Sequence, residues 1–151
     1  MAAPGNKLEK DLISHTKVSE LMTKQVHSVL PAATIRDAIQ LLLEKKISGA
    51  PVVNHLNHVI SVISEANLMT LAISDGLDTQ ISTILDKLPS KGDLIVVKAD
   101  DKFAKVFEKF LTKPVRRVIV VDDTGLLQGV VSRRDILKAY LENHGTHSKK
   151  R

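Results

Sequence analysis

Val52-Val-Asn-His-Leu-Asn-His-Val-Ile-Ser-Val-Ile-Ser64 and Val120-Val-Asp-Asp-Thr-Gly-Leu-Leu-Gln-Gly-Val-Val-Ser132 follow one plan: an apolar run, a polar turn, a second apolar run and a closing serine. Apolar, β-branched runs on either side of turn residues read as antiparallel hairpins. The turns are Asn54-His-Leu-Asn57 and Asp122-Asp-Thr-Gly125. The two stretches lie 68 positions apart, and at that offset residues 29–73 fall on residues 97–141 without a gap. An internal repeat of this length sets the whole fold, because each copy must adopt the same supersecondary unit.

Outward from the hairpins, each copy shows helical periodicity. Upstream, Ile35, Ala38, Ile39, Leu42 and Leu43 match Phe103, Val106, Phe107, Phe110 and Leu111 at i, i+3, i+4, i+7 and i+8. That spacing lines one helix face for packing. Thr34 and Asp37 form a capping-box pattern before the first of these helices. Further upstream, residues 26–30 and 94–97 read as short strands, and a second amphipathic helix follows each hairpin. Each copy is therefore β-α-β-β-α, and a unit so small buries its helix stripes only by pairing with its twin. The fold class is α/β. The organisation reads as an N-terminal extension (1–16), a first repeat (17–73), a linker (74–80) broken at Gly76, a second repeat (81–142) and a basic, disordered tail (143–151). A short helix at residues 81–85 echoes residues 18–22, with a five-residue insertion near residues 89–92.

Composition supports this and excludes much else. The 151 residues are 43% hydrophobic and 3% aromatic, so the core is aliphatic; a chain of this length buries roughly two-thirds of its unfolded surface. Few exposed rings argue against a single-strand nucleic-acid binder. With no cysteine there is no disulfide framework, thiolate metal site or Cys nucleophile. No apolar run reaches the roughly 20 residues of a membrane span, and the N-terminus has no signal-peptide stretch, so the expectation is a soluble, cytoplasmic protein without membrane partners. The net charge of +5 rests partly on Lys149-Lys150-Arg151, a solvated basic end. Internally, Arg116-Arg117 and Arg133-Arg134 stand out.

Two signatures, Ile47-Ser-Gly-Ala-Pro-Val-Val53 and Gly129-Val-Val-Ser-Arg-Arg-Asp135, resemble the CBS domain, which occurs in tandem as a Bateman module and in stand-alone bacterial pairs. The stretch from Arg116 to Asp122, continued to Asp135-Ile-Leu, is similar to a repeat of the AMP-activated protein kinase gamma subunit. The resemblance spans about Lys17 to Leu141. It implies two CBS repeats packed with pseudo-twofold symmetry into one Bateman module.

The stretch 129–135 has its own chemistry. A strand ends and a helix begins at Ser132, so the first helical N–H groups are expected to face outward as an anion site. Ser132 offers a hydroxyl to a phosphate, Arg133 or Arg134 a positive charge, and Asp135 two acceptors for vicinal ribose hydroxyls. Gly129 would allow a flat ligand to approach closely. Spacing alone leaves a second reading open: Ser132-x-x-Asp135 is also a capping box that needs no ligand. The resemblance favours binding, since in CBS repeats this Ser and Asp hold phosphate and ribose.

The resemblance further implies that Val26, His27, Ser48, Gly49, Ala50 and Pro51 form an adenine slot completing the Asp135 site. A weaker second site would combine Ser64, Asn67, Arg116 and Arg117. There Asn67 replaces the aspartate and Glu65 stands where Arg133 does. Metal binding is not expected: His55-x-x-His58 sits in a turn, and His144 and His147 in the tail, with no carboxylate cluster nearby. No nucleophile–base pair, phosphate loop or dinucleotide fingerprint appears, so the chain reads as a non-enzyme.

The expected function is a regulatory sensor. It would bind AMP, ADP, ATP or another adenosyl ligand, require no cofactor, and shift the arrangement of the repeats and the surface shown to a regulated partner. The expected assembly is a homodimer through the aliphatic helix faces. The alternative is a ligand-free dimerisation or docking module of the same fold.

Overall fold

The computed structural model describes residues 15–149, with side chains described as far as residue 142. In chain order the elements are α1 (Val18–Leu21), α2 (Ile35–Lys45), β1 (Gly49–Val53), β2 (Val59–Ser64), α3 (Glu65–Ser74), two 3-10 helices (Ile81–Lys87 and Lys91–Asp93), β3 (Val96–Lys98), α4 (Phe103–Thr112), β4 (Arg117–Val121), β5 (Leu127–Ser132) and α5 (Arg133–Lys149). They fall into two compact units. One consists of Val26–Leu94 with Thr124–Leu127; the other comprises, among the described residues, 15–25, Ile95–Asp123 and 128–149.

In the first unit, β1 and β2 pair antiparallel, with Gly49 opposite Ser64 and Ala50 opposite Ile63. The Asn54 side chain builds the turn: its Oδ1 accepts the N–H groups of Leu56 and His58, each at 2.9 Å, the local bonding that makes Asn a turn residue. Asn57 completes it with φ 68. The capping box before α2 is formed: Asp37 N–H donates to Thr34 Oγ1 at 3.1 Å, and Thr34 N–H donates to Asp37 Oδ2 at 3.0 Å. Ile35, Ala38 and Leu42 of α2 are buried with Val52, Ile63, Leu68 and Leu71. The 3-10 helix Ile81–Lys87 adds Ile81 and Ile84 to this core. Gly76, at φ 94, makes the break after α3 in a region where a side chain is strained.

In the second unit β3 runs parallel to β4, and β5 lies on β4's other side. Its core joins Val97, Val106, Val118, Val120, Val131 and Ile136 to Val18 and Leu21 of α1. Phe103 stacks on Phe107 with centroids 5.5 Å apart and meets the Tyr140 ring edge-on. The opening helix of each repeat is thus packed into the core built by the other repeat. Helices this short gain their order from burial rather than from their own hydrogen bonds.

Four expectations are corrected. Residues 26–30 do not form a strand; only Val29 bridges to β1, donating its N–H to Pro51 O and accepting from Val53 N, both at 2.9 Å. The run stops there because the chain turns at Pro31, with Ala33 N–H closing on Leu30 O. Leu43 and Leu111, assigned to the packed stripes, are exposed, since they sit at the edge of faces already covered by Leu42 and Phe110. The segment 81–85 is a longer 3-10 helix. The helix α5 continues to Lys149, through residues assigned to a disordered tail; Lys150, Arg151 and the extension before residue 15 lie outside the described residues.

Candidate functional site

The start of α5 is held by reciprocal bonds between Ser132 and Asp135. Ser132 donates its N–H and its Oγ hydrogen to Asp135 Oδ2, at 2.8 and 3.1 Å. Asp135 N–H donates back to Ser132 Oγ at 3.2 Å. The capping reading of this pair is therefore realised, and one first-turn N–H expected to face outward is occupied. The half-buried carboxylate of Asp135 keeps acceptor capacity on Oδ1. Arg133 and Arg134 are exposed on the same turn. A carboxylate flanked by two guanidinium groups at a helix N-terminus can accept from hydroxyls while its neighbours attract an anion.

A residue the sequence reading missed completes this cluster. Thr23 Oγ1 donates to Asp135 Oδ1 at 3.2 Å and Oδ2 at 3.4 Å. The segment bearing Thr23 is clamped to β5 by two backbone bonds, Thr23 N to Val130 O (2.8 Å) and Val130 N to Thr23 O (3.0 Å). This corrects the reason for Gly129. A Cβ there would stand 2.8 Å from Thr23 O and 2.9 Å from Met22 Sδ, so the close approach that needs glycine is made by the chain itself. The sequence signal was available in the pairing of residues 18–22 with 81–85, but nothing in it aims Thr23 at Asp135.

The first unit repeats the motif with other chemistry. Ser64 N and Ser64 Oγ donate to Asn67 Oδ1 at 2.9 and 2.8 Å, and Asn67 N donates to Ser64 Oγ at 3.1 Å. The neutral amide builds the same cap as Asp135 but presents no charge, and exposed Glu65 stands in place of an arginine. Glu65 N–H is taken by Ser48 O at 3.0 Å. Residues 48–49 thereby lie beside the start of α3. Ser61, at the position of Gly129, is buried and donates to Pro89 O at 2.7 Å.

Val26, His27, Ser48 and Gly49 are half-buried, and Ala50 and Pro51 are buried in β1. The Val29–Pro51 bond brings the segment after Gln25 against residues 48–51 within the first unit. Arg116 is exposed before β4 and Arg117 begins that strand, both in the second unit, whereas Ser64 and Asn67 belong to the first. Among the described residues no group of three or more His, Asp or Glu could hold a metal ion. His55 and His58 lie at the β1–β2 turn; His144 and His147 fall outside the described side chains. No helix of the described residues is long and apolar enough to cross a membrane.

Two repeats built as a helix, a pair of strands and a second, serine-capped helix, with an opening strand in the second repeat, define a paired-repeat module of the α/β class. The CBS domain model matches residues 18–74 and 84–142, and the chain belongs to the CBS-domain family, as a tandem pair or Bateman module. It is 30% identical over 151 aligned positions to the chloroplastic CBS domain-containing protein CBSX2 of Arabidopsis thaliana, covering 83% of this chain and 63% of that one. It is 30% identical over 126 residues to the Methanocaldococcus jannaschii protein MJ1232, covering 83% of this chain and 40% of that one. The chain thus spans less than two-thirds of either relative. Similarity also extends to the pig AMP-activated protein kinase subunit gamma-3, 29% identical over 116 residues, 74% of this chain and 22% of that one. The crystal structure of CBSX2 in complex with AMP superposes with a TM-score of 0.73 at 25% identity, covering 84% of this chain and 97% of that chain.

Proposed function

We propose that this chain is a regulatory module that binds an adenosine nucleotide (AMP, ADP, ATP or a related adenosyl ligand) and acts by binding rather than catalysis. The reading takes it to work in the cytoplasm, as a homodimer, on a partner protein yet to be identified. The observation that carries it is the Asp135 cluster: a half-buried carboxylate, held by Ser132 and Thr23 and flanked by exposed Arg133 and Arg134. Asp135 is assigned to ribose hydroxyls, Ser132 and the two arginines to phosphate. Val26, His27 and residues 48–51 are assigned to adenine, where small residues let a flat base approach the backbone. The likeness to a relative crystallised with AMP supports the ligand class. Ser64 and Asn67, with Arg116 and Arg117, form a weaker site, because a neutral amide accepts less strongly than a carboxylate.

The decisive variant is Asp135→Asn. Asn67 already shows that asparagine sustains this capping box, so the substitution removes charge and keeps the cap. Calorimetric titration with AMP, ADP and ATP is expected to show binding weakened by about 1–3 kcal/mol, with the free protein still folded and losing at most the stability of the Thr23 contact. Unchanged affinity would assign Asp135 to capping alone. The completeness of the cap without ligand favours one rival, a docking module that binds no nucleotide. A thermal-shift screen with AMP, ADP, ATP, NAD, S-adenosylmethionine and cyclic dinucleotides separates the two, since only a bound ligand raises the melting temperature.

A further inference from the structure

The helices α2 and α4 occupy the same place in their repeats but begin with opposite chemistry. Before α2, Thr34 and Asp37 close a capping box. At the matching positions, 68 residues on, α4 has Lys102 and Lys105. Lys102 is the N-cap of α4, its side chain makes no capping bond, and the first turn holds no acidic residue. A helix N-terminus carries partial positive charge and unpaired N–H groups, so it favours an acceptor or an anion and disfavours a lysine. The nearest compensation is Asp101, whose Oδ2 lies 3.6 Å from Lys105 Nζ and already accepts the Lys98 N–H at 2.7 Å. A local rule broken for so little return marks positions kept for something other than stability.

These two lysines begin a row. Lys102, Lys105, Lys109 and Lys113 recur at intervals of three and four, which sets them along one side of α4 from its N-cap to its C-cap. Successive members stand about 4.5–6 Å apart along the axis, over about 16 Å in all. Lys17 extends the row through its backbone bridge to Lys102. All are exposed except Lys109, which is half-buried. Among the described residues only Lys105 of this row has a carboxylate within ion-pair distance, and Glu108 is the one acidic residue of α4. The first repeat has Thr34, Asp37, Leu41 and Lys45 at these positions, so the repeated fold does not require the row. Exposed Leu111 stands two positions from both Lys109 and Lys113 and therefore belongs to a different side of the helix.

We propose that the lysine row of α4 receives an acidic helix of the protein this module regulates, one with carboxylates at every third or fourth position along one face. This rests on the reading of the chain as a module acting on a partner protein, and is independent of the nucleotide. A second helix laid along α4 repeats its side chains at the same spacing, so each carboxylate meets a lysine in register. The row offers no exposed ring for stacking bases and no apolar side chain for entering a lipid surface.

Anisotropy titrations of the full-length chain test this with a fluorescent, alanine-rich helical peptide whose glutamates lie on one face. A peptide of the same composition with glutamates dispersed around the helix is the reference. The aligned peptide is expected to bind about tenfold more tightly, and Lys109→Glu with Lys113→Glu to remove about that factor, the scale of a few surface ion pairs. Lys45→Glu with Lys91→Glu, in the other unit, is expected to change nothing. Equal binding of the two peptides, or binding that survives reversal at Lys109 and Lys113, would overturn the proposal. Tighter binding of duplex DNA or phosphatidylserine vesicles, lost on the same reversal, would overturn it in favour of a nucleic acid or a membrane. The AMP-induced thermal shift is expected to be the same in the reversed variant as in the wild type. Its absence from both would overturn the nucleotide reading and leave the lysine row to the peptide titration.

Discussion

The hydroxyl of Thr23 donates to both carboxylate oxygens of Asp135, at 3.2 and 3.4 Å, across 112 positions of sequence. The contact ties the segment after α1 to the first turn of α5. A hydrogen bond to a partly exposed charged group contributes about 0.5–1.5 kcal/mol. Thr23→Val should lower unfolding stability by that amount in urea denaturation, and Thr23→Ser should restore most of it. A Thr23→Val variant as stable as the wild type, with the loss appearing in Thr23→Ser instead, would show that the methyl group, not the hydroxyl, matters.

Gly129→Ala should be more damaging than its size suggests. The new Cβ would lie 2.8 Å from a backbone carbonyl, so the Thr23 segment must move and its two bonds to Val130 weaken. A loss of about 1–3 kcal/mol is expected, readable as a lower urea midpoint. Backbone amide exchange should speed up at Thr23 and Val130. Unchanged protection at both amides would disprove the clamp.

Ser61 makes the opposite point in the other repeat. Its buried hydroxyl donates to Pro89 O at 2.7 Å. Ser61→Ala leaves that carbonyl without this donor, a cost of about 1–3 kcal/mol if no water replaces it. A variant as stable as the wild type in thermal denaturation would count against the bond.

Asp75 makes part of the stability depend on pH. The Ser74 hydroxyl, and then the Lys87 ammonium at 2.9 Å, hold its carboxyl below the usual carboxylate range. A pKa depressed on folding adds stability above the unfolded-state value and loses it as pH falls through the folded-state value. Wild type should therefore be more stable than Asp75→Asn at neutral pH, and the gap should close on acidification below about pH 4. A pH-independent gap in urea titrations would refute the ionic origin.

The repeat made most of the fold legible. Both hairpins, the helices α2 to α5 and the Thr34–Asp37 cap are readable because their causes are local: periodicity, turn residues and capping chemistry within a few positions. The strand expected at residues 26–30 failed because Pro31 and tertiary pairing, not propensity, decide how far that run extends. The candidate site was half legible. Ser132 and Asp135 announce themselves by spacing, whereas Thr23 lies far away in sequence.

The sequence by itself determined the duplication, the plan of a helix, two strands and a second helix in each copy, and the inequality of Asp135 and Asn67, since each is a matter of residue identity at a repeated position. Only the tertiary structure decided that each repeat's opening helix joins the other's core, that Gly129 answers to the Thr23 backbone, and that Leu43 and Leu111 stay exposed. These depend on which surfaces remain uncovered after packing, and chain periodicity carries no record of what packs from a distance.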